Sequence, residues 1–511
     1  MTSLSDPVFA QAAADPEQEA ARGAGTVLTY QQLADATLAY AGMLADIGIE
    51  PGDRVLFIAP TLPEFVVAYL GINAAGAIIV PVNPLCTPSE LGYYISDAGC
   101  KLVIAWDSVS QAAREAAEAA GIEFLALAHG AQADRGTPLT EAVDRGEDEV
   151  GCILYTSGTT GKPKGAELTI GNLTSAARIA IKLGGTAPND RIATALPLFH
   201  VFGQASVLLA SIGAGCPMSL APTFHPQQFI EMIIEDRATL VEGVPTMWNA
   251  MLHSSQDTPA DAFEHLRLAV SGGASLPLEV REAFHRRFEC KISEGYGMTE
   301  TCAIATFSKP GTEAPAGTVG PAAPEMEVEI RLADGTPAPV GGRGEVFVRG
   351  PVVMRGYWNR PEATAETISP DGWLRTGDIA EMDDEGNVRI VDRAKDLIIR
   401  GGYNVYPSEI EEVLYAHPDI VEAAVVGVPD PHYGEEIVAV VAIGPDAELS
   451  ADDVKAWTAE RLAAYKHPRA VMFVDALPKG PSGKILKRSI ERAPLEAAVA
   501  EYRAARAAAH H

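Results

Sequence analysis

From residue 51 the apolar and polar positions beat in a regular order. The turn Pro51-Gly52-Asp53 is followed by an apolar run, VLFIA at 55–59, then by a long apolar segment from Leu62 to Ala75, then by a second run, AIIVPVN at 77–83. The beat repeats with LVIA at 102–105, an alanine-rich stretch across 109–120 and EFLAL at 123–127. Short apolar runs bounded by turn residues read as buried strands, and the longer segments between them have helical length. Strands alternating with helices predict parallel pairing, with the helices covering the sheet. No GxGxxG opens any of these helices, so a Rossmann dinucleotide site is not implied.

The texture changes twice further on. Residues 303–324 are rich in Pro, Gly, Thr and Ala and read as an irregular connection; EVEI at 327–330 and EVFVRG at 345–350 then predict a small, more antiparallel β subdomain. The second change falls at VDRAKDLIIRGGYNVYP, 391–407, where Pro407 suits the first turn of a helix over SEIEEVLYAH. Beyond it AAVVGV and IVAVVAI read as buried strands, Ser450 to Tyr465 as a helix and AVMFV as a strand. The expected architecture is α/β: a large N-terminal domain of α/β sheets plus a small β subdomain over residues 1–393, and a mobile, smaller C-terminal α+β domain over 394–511.

Charge and composition narrow the chemistry. The chain has 39 basic and 68 acidic residues in 511, a net charge of −29, so no basic stripe is available for nucleic acid. Any anionic ligand must rely on local cations and backbone N–H donors. Cysteines 86, 100, 152, 216, 290 and 302 show no CxxC spacing, which argues against a zinc site or a disulfide framework and for reduced thiols in a cytoplasmic setting. The first twenty residues have neither the basic start nor the apolar core of a signal peptide, and no apolar run is long enough to span a membrane. His510 and His511 read as a tag remnant and carry no argument.

The densest chemical signal is YTSGTTGKPKG, Tyr155–Gly165. Glycines 158, 161 and 165 allow close backbone approach, Thr156, Ser157, Thr159 and Thr160 add hydroxyls, and Lys162 and Lys164 add charge, all of which suit a polyphosphate. A Walker A loop fails here: two residues separate Gly158 from Gly161, and Pro163 follows Lys162 where a hydroxyl for the metal belongs. A run of this composition is also what a solvated loop looks like, so the order of the remaining motifs decides. They are LPLFHVFG at 196–203, SGGAS at 271–275, GYGMTE at 295–300, GWLRTGD at 372–378, VDRAKD at 391–396 and PKGPSGKILKR at 478–488.

In this order the set resembles the adenylate-forming superfamily, and within it the acyl-CoA synthetase branch, most like bacterial medium- and long-chain fatty acyl-CoA ligases. The resemblance implies a two-step reaction. A carboxylate attacks the α-phosphate of ATP to give acyl-AMP and pyrophosphate, and coenzyme A then displaces AMP. It implies that Thr156, Ser157, Gly158, Thr159, Thr160, Gly161, Lys162 and Lys164 hold the phosphates. Gly273, Ala274, Ser275, Glu294, Gly295, Tyr296 and Gly297 would border adenine and the acyl group. Thr299 would contact the α-phosphate, Glu300 would ligate Mg²⁺ together with Thr159, and Asp378 and Arg393 would take the ribose. Lys395 matches the hinge and Lys484 the adenylation lysine, whose ammonium would stabilise charge on the α-phosphate. Gly401, Gly402 and Tyr403 would face coenzyme A, with AYKHPR at 464–469 near the same ligand. His200 would border the acyl pocket as a gate rather than a base.

The partners implied are a small carboxylic acid, ATP and coenzyme A, with a homodimer among the open oligomeric states. Glycines 203, 243, 272, 273 and 295 suggest a roomy apolar tunnel, and no arginine stands at Gly295 to meet a second carboxylate. An apolar or bulky monocarboxylic acid is expected, with aryl and terpenoid acids, a carrier-protein ligase or an enzyme proficient in one half-reaction as alternatives. A non-enzymatic sensor would be expected to lose Glu300 or Lys484, and both are present. Ile170 and Gly171, and the run PEMEVEI at 324–330, depart from the family pattern.

Overall fold

The long apolar segment between the first two strands forms the helix Pro63–Ala74, every residue of which is buried, with a proline in its first turn. It has no polar face because it is wedged between elements on all sides: it packs on the helix Tyr30–Asp46 and touches strands of both large sheets. The computed structural model describes residues 3–129, 137–156, 162–312, 315, 317–444, 447–480 and 485–508.

One large sheet has seven strands in the order Gly356–Tyr357, Lys164–Thr169, Val150–Thr156, Ile78–Pro81, Arg54–Ile58, Cys100–Trp106 and Glu123–Leu127. Pairing is parallel from Val150–Thr156 onward, as the alternating pattern predicts. The other has eight, in the order Thr306–Phe307, Ile292–Tyr296, Leu268–Ser271, Leu240–Gly243, Ile192–Thr194, Met218–Leu220, Glu19–Gly23 and Thr26–Thr29, parallel inside and antiparallel at both edges. A four-stranded antiparallel sheet follows, Glu327–Arg331, Gly344–Arg349, Leu374–Met382 and Val388–Arg393. The chain then builds a separate five-stranded sheet around the long hairpin Ile420–Asp430 and Gly434–Ile443, packed with the helices Pro407–Tyr415, Ala451–Ala459 and Arg492–Ala508. The architecture is α/β, with a large N-terminal and a small C-terminal domain.

Two details differ from the sequence reading. The helix expected to run to Tyr465 stops at Ala459. The carbonyls of Leu462 and Ala464 are taken by the side chains of His467 and Arg469, at 2.8 and 2.9 Å, instead of by a further helical turn. The connection at 303–324 carries the edge strand Thr306–Phe307, which closes one side of the eight-stranded sheet. The departures at Ile170 and Gly171 have a local cause. Ile170 is buried at the first turn of the helix Ile170–Gly184, capped by Thr169, and a β-carbon on Gly171 would come 3.0 Å from the Glu147 carbonyl oxygen.

Candidate active site

The glycine- and hydroxyl-rich motif stands between two strands that pair with each other. Val150–Thr156 and Lys164–Thr169 pair antiparallel, with Thr156 opposite Lys164, whereas a Walker loop joins a strand to a helix. Ser157, Gly158, Thr159, Thr160 and Gly161 lie outside the described residues. Their flanks are anchored: the Thr156 hydroxyl donates to the Lys164 carbonyl at 3.4 Å and the Tyr93 hydroxyl to the Pro163 carbonyl at 2.7 Å. The Lys162 ammonium lies 5.4 Å from the ring centre of Tyr93, and that of Lys164 lies 5.0 Å from the ring centre of Tyr357.

GYGMTE folds back on itself at the end of the strand Ile292–Tyr296. A β-carbon on Gly297 would meet the Ala303 carbonyl group at 2.1 Å, so glycine is required for the close approach. The short helical turn Thr299–Thr301 then buries Glu300. Three expected residues converge here: the Tyr296 hydroxyl donates to Asp378 Oδ2 at 2.6 Å, and Arg393 Nε lies 3.3 Å from Asp378 Oδ1. Asp378 and Arg393 are cross-strand partners, which explains their pairing across a gap in sequence.

Beside them the Tyr357 hydroxyl donates to Glu300 Oε1 at 2.8 Å. Burial pushes the Glu300 carboxyl up, against the hydrogen bond from Tyr357. Burial and the neighbouring Asp378 carboxylate hold the Tyr296 phenol well above its ordinary value. Lys395 is shifted down by burial and by the charge of Arg393. Tyr357 escaped the sequence reading because it carries no motif; its strand joins the sheet next to Lys164–Thr169, a contact between distant parts of the chain.

SGGAS lies just past the strand Leu268–Ser271. Gly273 adopts φ +79°, and Gly273, Ala274 and Ser275 are exposed. The buried Ser271 hydroxyl has no described hydrogen-bond partner. Glu294, paired in register with Ser271, is buried 3.4 Å from Arg281 and pushed up to about 7 by burial, which Arg281 only partly offsets. His200 is half-buried, and its Nδ1 accepts the Phe202 N–H at 3.2 Å.

At three of the five glycines the open space expected of a roomy tunnel is taken by aromatic rings. The space a β-carbon would take at Gly243 is met by Trp248 at 2.9 Å, at Gly272 by Phe202 at 3.2 Å and at Gly295 by Phe307 at 3.1 Å. These glycines admit aromatic rings close to the backbone.

In the smaller domain Gly401 and Gly402, at φ +58° and +82°, form the two-residue turn between the strands Ile398–Arg400 and Tyr403–Val405. Exposed Tyr403 stacks on Tyr465 with ring centres 5.0 Å apart. Lys484 lies outside the described residues. Arg343 links the two domains, reaching Glu381 at 2.6 Å, Glu409 at 2.8 Å and the face of Tyr406 at 4.6 Å, while the Ser408 N–H donates to Asp392 at 2.9 Å.

The family model of AMP-binding enzymes matches residues 8–358, and that of the AMP-binding enzyme C-terminal domain matches residues 409–484. The chain belongs to the AMP-binding enzyme family. Within it the chain is an acid–thiol ligase of the AMP-forming acyl-CoA synthetase branch. It is 38% identical over 480 residues to a feruloyl-CoA synthase of Amycolatopsis sp., covering 93% of this chain and 96% of the relative. It is 33% identical over 522 residues to a long-chain-fatty-acid–CoA ligase of Bacillus subtilis (strain 168), covering 94% and 92%. Among solved structures, a benzoate CoA ligase from Burkholderia xenovorans LB400 superposes with a TM-score of 0.89 at 30% identity, covering 96% of this chain and 100% of the other. Among the described residues no helix is long and apolar enough to cross a membrane, and the six cysteines are unpaired.

Proposed function

We propose that this synthetase activates a compact aromatic monocarboxylic acid at the ends of the two large sheets, and that the cluster Tyr296–Asp378–Arg393 with Tyr357–Glu300 is its adenylate site. The observation that carries the assignment is the pairing of two half-buried tyrosines with two buried carboxylates beside the paired strands that flank the phosphate motif. Asp378 offers the ribose hydroxyls an acceptor already oriented by a phenol and a guanidinium. Tyr296 gives adenine an aromatic face, bordered by Gly273, Ala274 and Ser275. Lys162 and Lys164 neutralise phosphate charge, and Ser157, Gly158, Thr159, Thr160 and Gly161 would add hydroxyl and backbone N–H donors. The attack of the substrate carboxylate on the α-phosphate needs little covalent help, so orientation by Thr299 and charge stabilisation by Lys484 supply most of the acceleration.

The oxygen donors fit Mg²⁺, which is held typically by one or two carboxylates together with substrate phosphates; here Glu300 is the buried carboxylate, and the Thr159 hydroxyl would join it. Such an ion would offset charge on the phosphates. In the second step residues 394–511 would move as a body on residues 1–393 about Lys395, bringing Gly401, Gly402 and Tyr403 to the thiol arm of coenzyme A. The exposed Tyr403–Tyr465 stack supports that face. A cytoplasmic location agrees with the unpaired cysteines.

The aromatic preference rests on the rings of Phe202, Trp248 and Phe307 against Gly272, Gly243 and Gly295, and on the packing of Trp248, Phe284 and Phe288 behind Gly243. Two of the three named relatives support it, the feruloyl-CoA synthase and the benzoate CoA ligase, while the third acts on long-chain fatty acids. The test is pyrophosphate release and thioester formation with ATP, Mg²⁺ and coenzyme A across acetate, octanoate, palmitate, benzoate and cinnamate. Turnover of an aromatic acid at higher kcat/KM than palmitate is expected; palmitate preferred over both aromatic acids would overturn the substrate reading.

A further inference from the structure

Glu242 is a buried carboxyl that the chemistry above does not use. It is 4% exposed, near the C-terminal end of the strand Leu240–Gly243, in register with Thr194 and Val270. Strand alternation sends its side chain to the opposite face from Val241 and Gly243, toward the helical segment Gly203–Leu209 that follows His200 and Phe202. There the Ser206 hydroxyl meets both the Phe202 carbonyl, at 2.7 Å, and Glu242 Oε2. No other described group hydrogen-bonds the Glu242 side chain, and no described cation pairs with it. The Phe202 ring rests against Gly272, whose neighbour in turn is the Gly295 carbonyl. Ser206 and the Glu242 that it meets therefore lie one helical turn beyond Phe202, on the segment whose start borders the proposed acyl site.

An uncompensated buried carboxyl is costly, and Leu or Met would fill this position at no such cost. The hydrogen bonds show what it offers instead. Ser206 has a single proton and a good acceptor in the Phe202 carbonyl, so a protonated Glu242 completes a chain by donating from Oε2 to Ser206 Oγ. Burial pushes Glu242 up to about 7 despite Ser206, so this form is populated near neutrality. In that form, and in the ionised one, Oε1 accepts and does not donate.

We propose that Glu242, anchored by Ser206, is a specificity-determining residue that accepts a hydrogen bond from an O–H or N–H donor at the end of the acyl substrate remote from its carboxylate. This rests on the aromatic-acid reading above. A group buried for one bond discriminates strongly against analogues that leave it unpaired.

The experiment compares kcat/KM for 4-hydroxycinnamate, cinnamate and 4-fluorocinnamate, the last close in size but without a donor, in the wild type, Glu242→Gln, Glu242→Met and Ser206→Ala. The wild type should favour the hydroxy acid over the fluoro acid by about tenfold or more, mostly through KM. Glu242→Gln, whose carbonyl still accepts while its amide donates to Ser206, should keep that preference, and Glu242→Met should erase it. Ser206→Ala should narrow it, and decides the matter if the Met variant does not fold. An equal ratio in the wild type, or a ratio that Glu242→Met or Ser206→Ala leaves intact, overturns the proposal. Failure of all three acids alongside turnover of octanoate would instead overturn the aromatic-acid reading, so the two failures are distinct.

Discussion

The two ends of the eight-stranded sheet treat buried carboxylates in opposite ways. At the end where the parallel strands begin, Asp190 is held by Arg267 through two bonds of 2.8 and 2.7 Å and by the Thr239 hydroxyl at 2.7 Å, and Glu19 is shared by Arg22 and Arg191. Burial opposes ionisation of both, but the guanidinium bonds outweigh it and hold both carboxyls below their ordinary values. Toward the end where the strands finish, Glu242 has a hydroxyl and Glu294 a guanidinium at 3.4 Å, and burial wins at both. Glu300, in the turn beyond, has a phenol and is likewise pushed up. The first end spends its charges on stability; the second leaves carboxyl groups under-compensated where ligands of α/β sheets bind, beyond the carboxyl ends of the strands.

The largest expected effect lies at the under-compensated end. Replacing Glu300 by Gln, or Lys484 by Ala, should lower the rate of pyrophosphate release by about 10²–10³-fold, the scale on which one preorganised charge-stabilising group acts. Thioester formation from supplied acyl-AMP should fall far less. Equal losses in both half-reactions would mean that these residues support the fold rather than adenylation. At the compensated end Asp190→Asn should cost about 1–2 kcal/mol of stability by urea unfolding, a figure kept low because Arg267 is 40% exposed and its charge is screened. Its kcat should stay within about twofold, and a larger drop would break the contrast between the two ends.

Much of the fold and part of the site were legible in the sequence, and the illegible part has a physical cause. The strand–helix beat from 51 to 127 and the hairpin strands after Pro407 follow from local apolar periodicity and turn chemistry, which act over neighbouring residues. The motifs likewise marked Glu300, Asp378, Arg393 and Tyr296. Tyr357, Ser206 and Glu242 were not marked: each acts through a partner 36 or more residues away, and only the packing of helical segments and turns against strands brings them together. The pocket glycines were misread for a related reason. Sequence shows that a side chain is missing, while the rings of Phe202, Trp248 and Phe307 that take the space come from other elements.

The next effect is a difference of sign in pH dependence. Between the ordinary glutamate value and about 7, the folded protein keeps protons on Glu242 and Glu294 that the unfolded chain has released, so stability should fall as pH rises through that window. Asp190 and Glu19, held down, contribute stability that is present above their ordinary values and lost as pH falls through the folded values. Urea midpoints followed from about pH 2 to 8 should therefore show a flattened neutral limb in Glu294→Gln and, below the ordinary aspartate value, a flattened acid limb in Asp190→Asn. The same change in both variants would mean that the two ends do not differ electrostatically.

The smallest expected effect separates orientation from stacking within the site. Tyr296→Phe keeps the ring that adenine would meet and removes only the proton donated to Asp378. Asp378 would still face Arg393 at 3.3 Å and would gain a free lone pair for the ribose, so the net loss should be that of one hydrogen bond to a charged group. The KM for ATP should rise by about 3- to 10-fold with kcat nearly unchanged, because the bond acts equally on bound substrate and transition state. A fall in kcat with an unchanged KM would show that the phenol serves the chemical step, and the site would then hold a tyrosine whose proton matters to adenylyl transfer rather than to nucleotide binding.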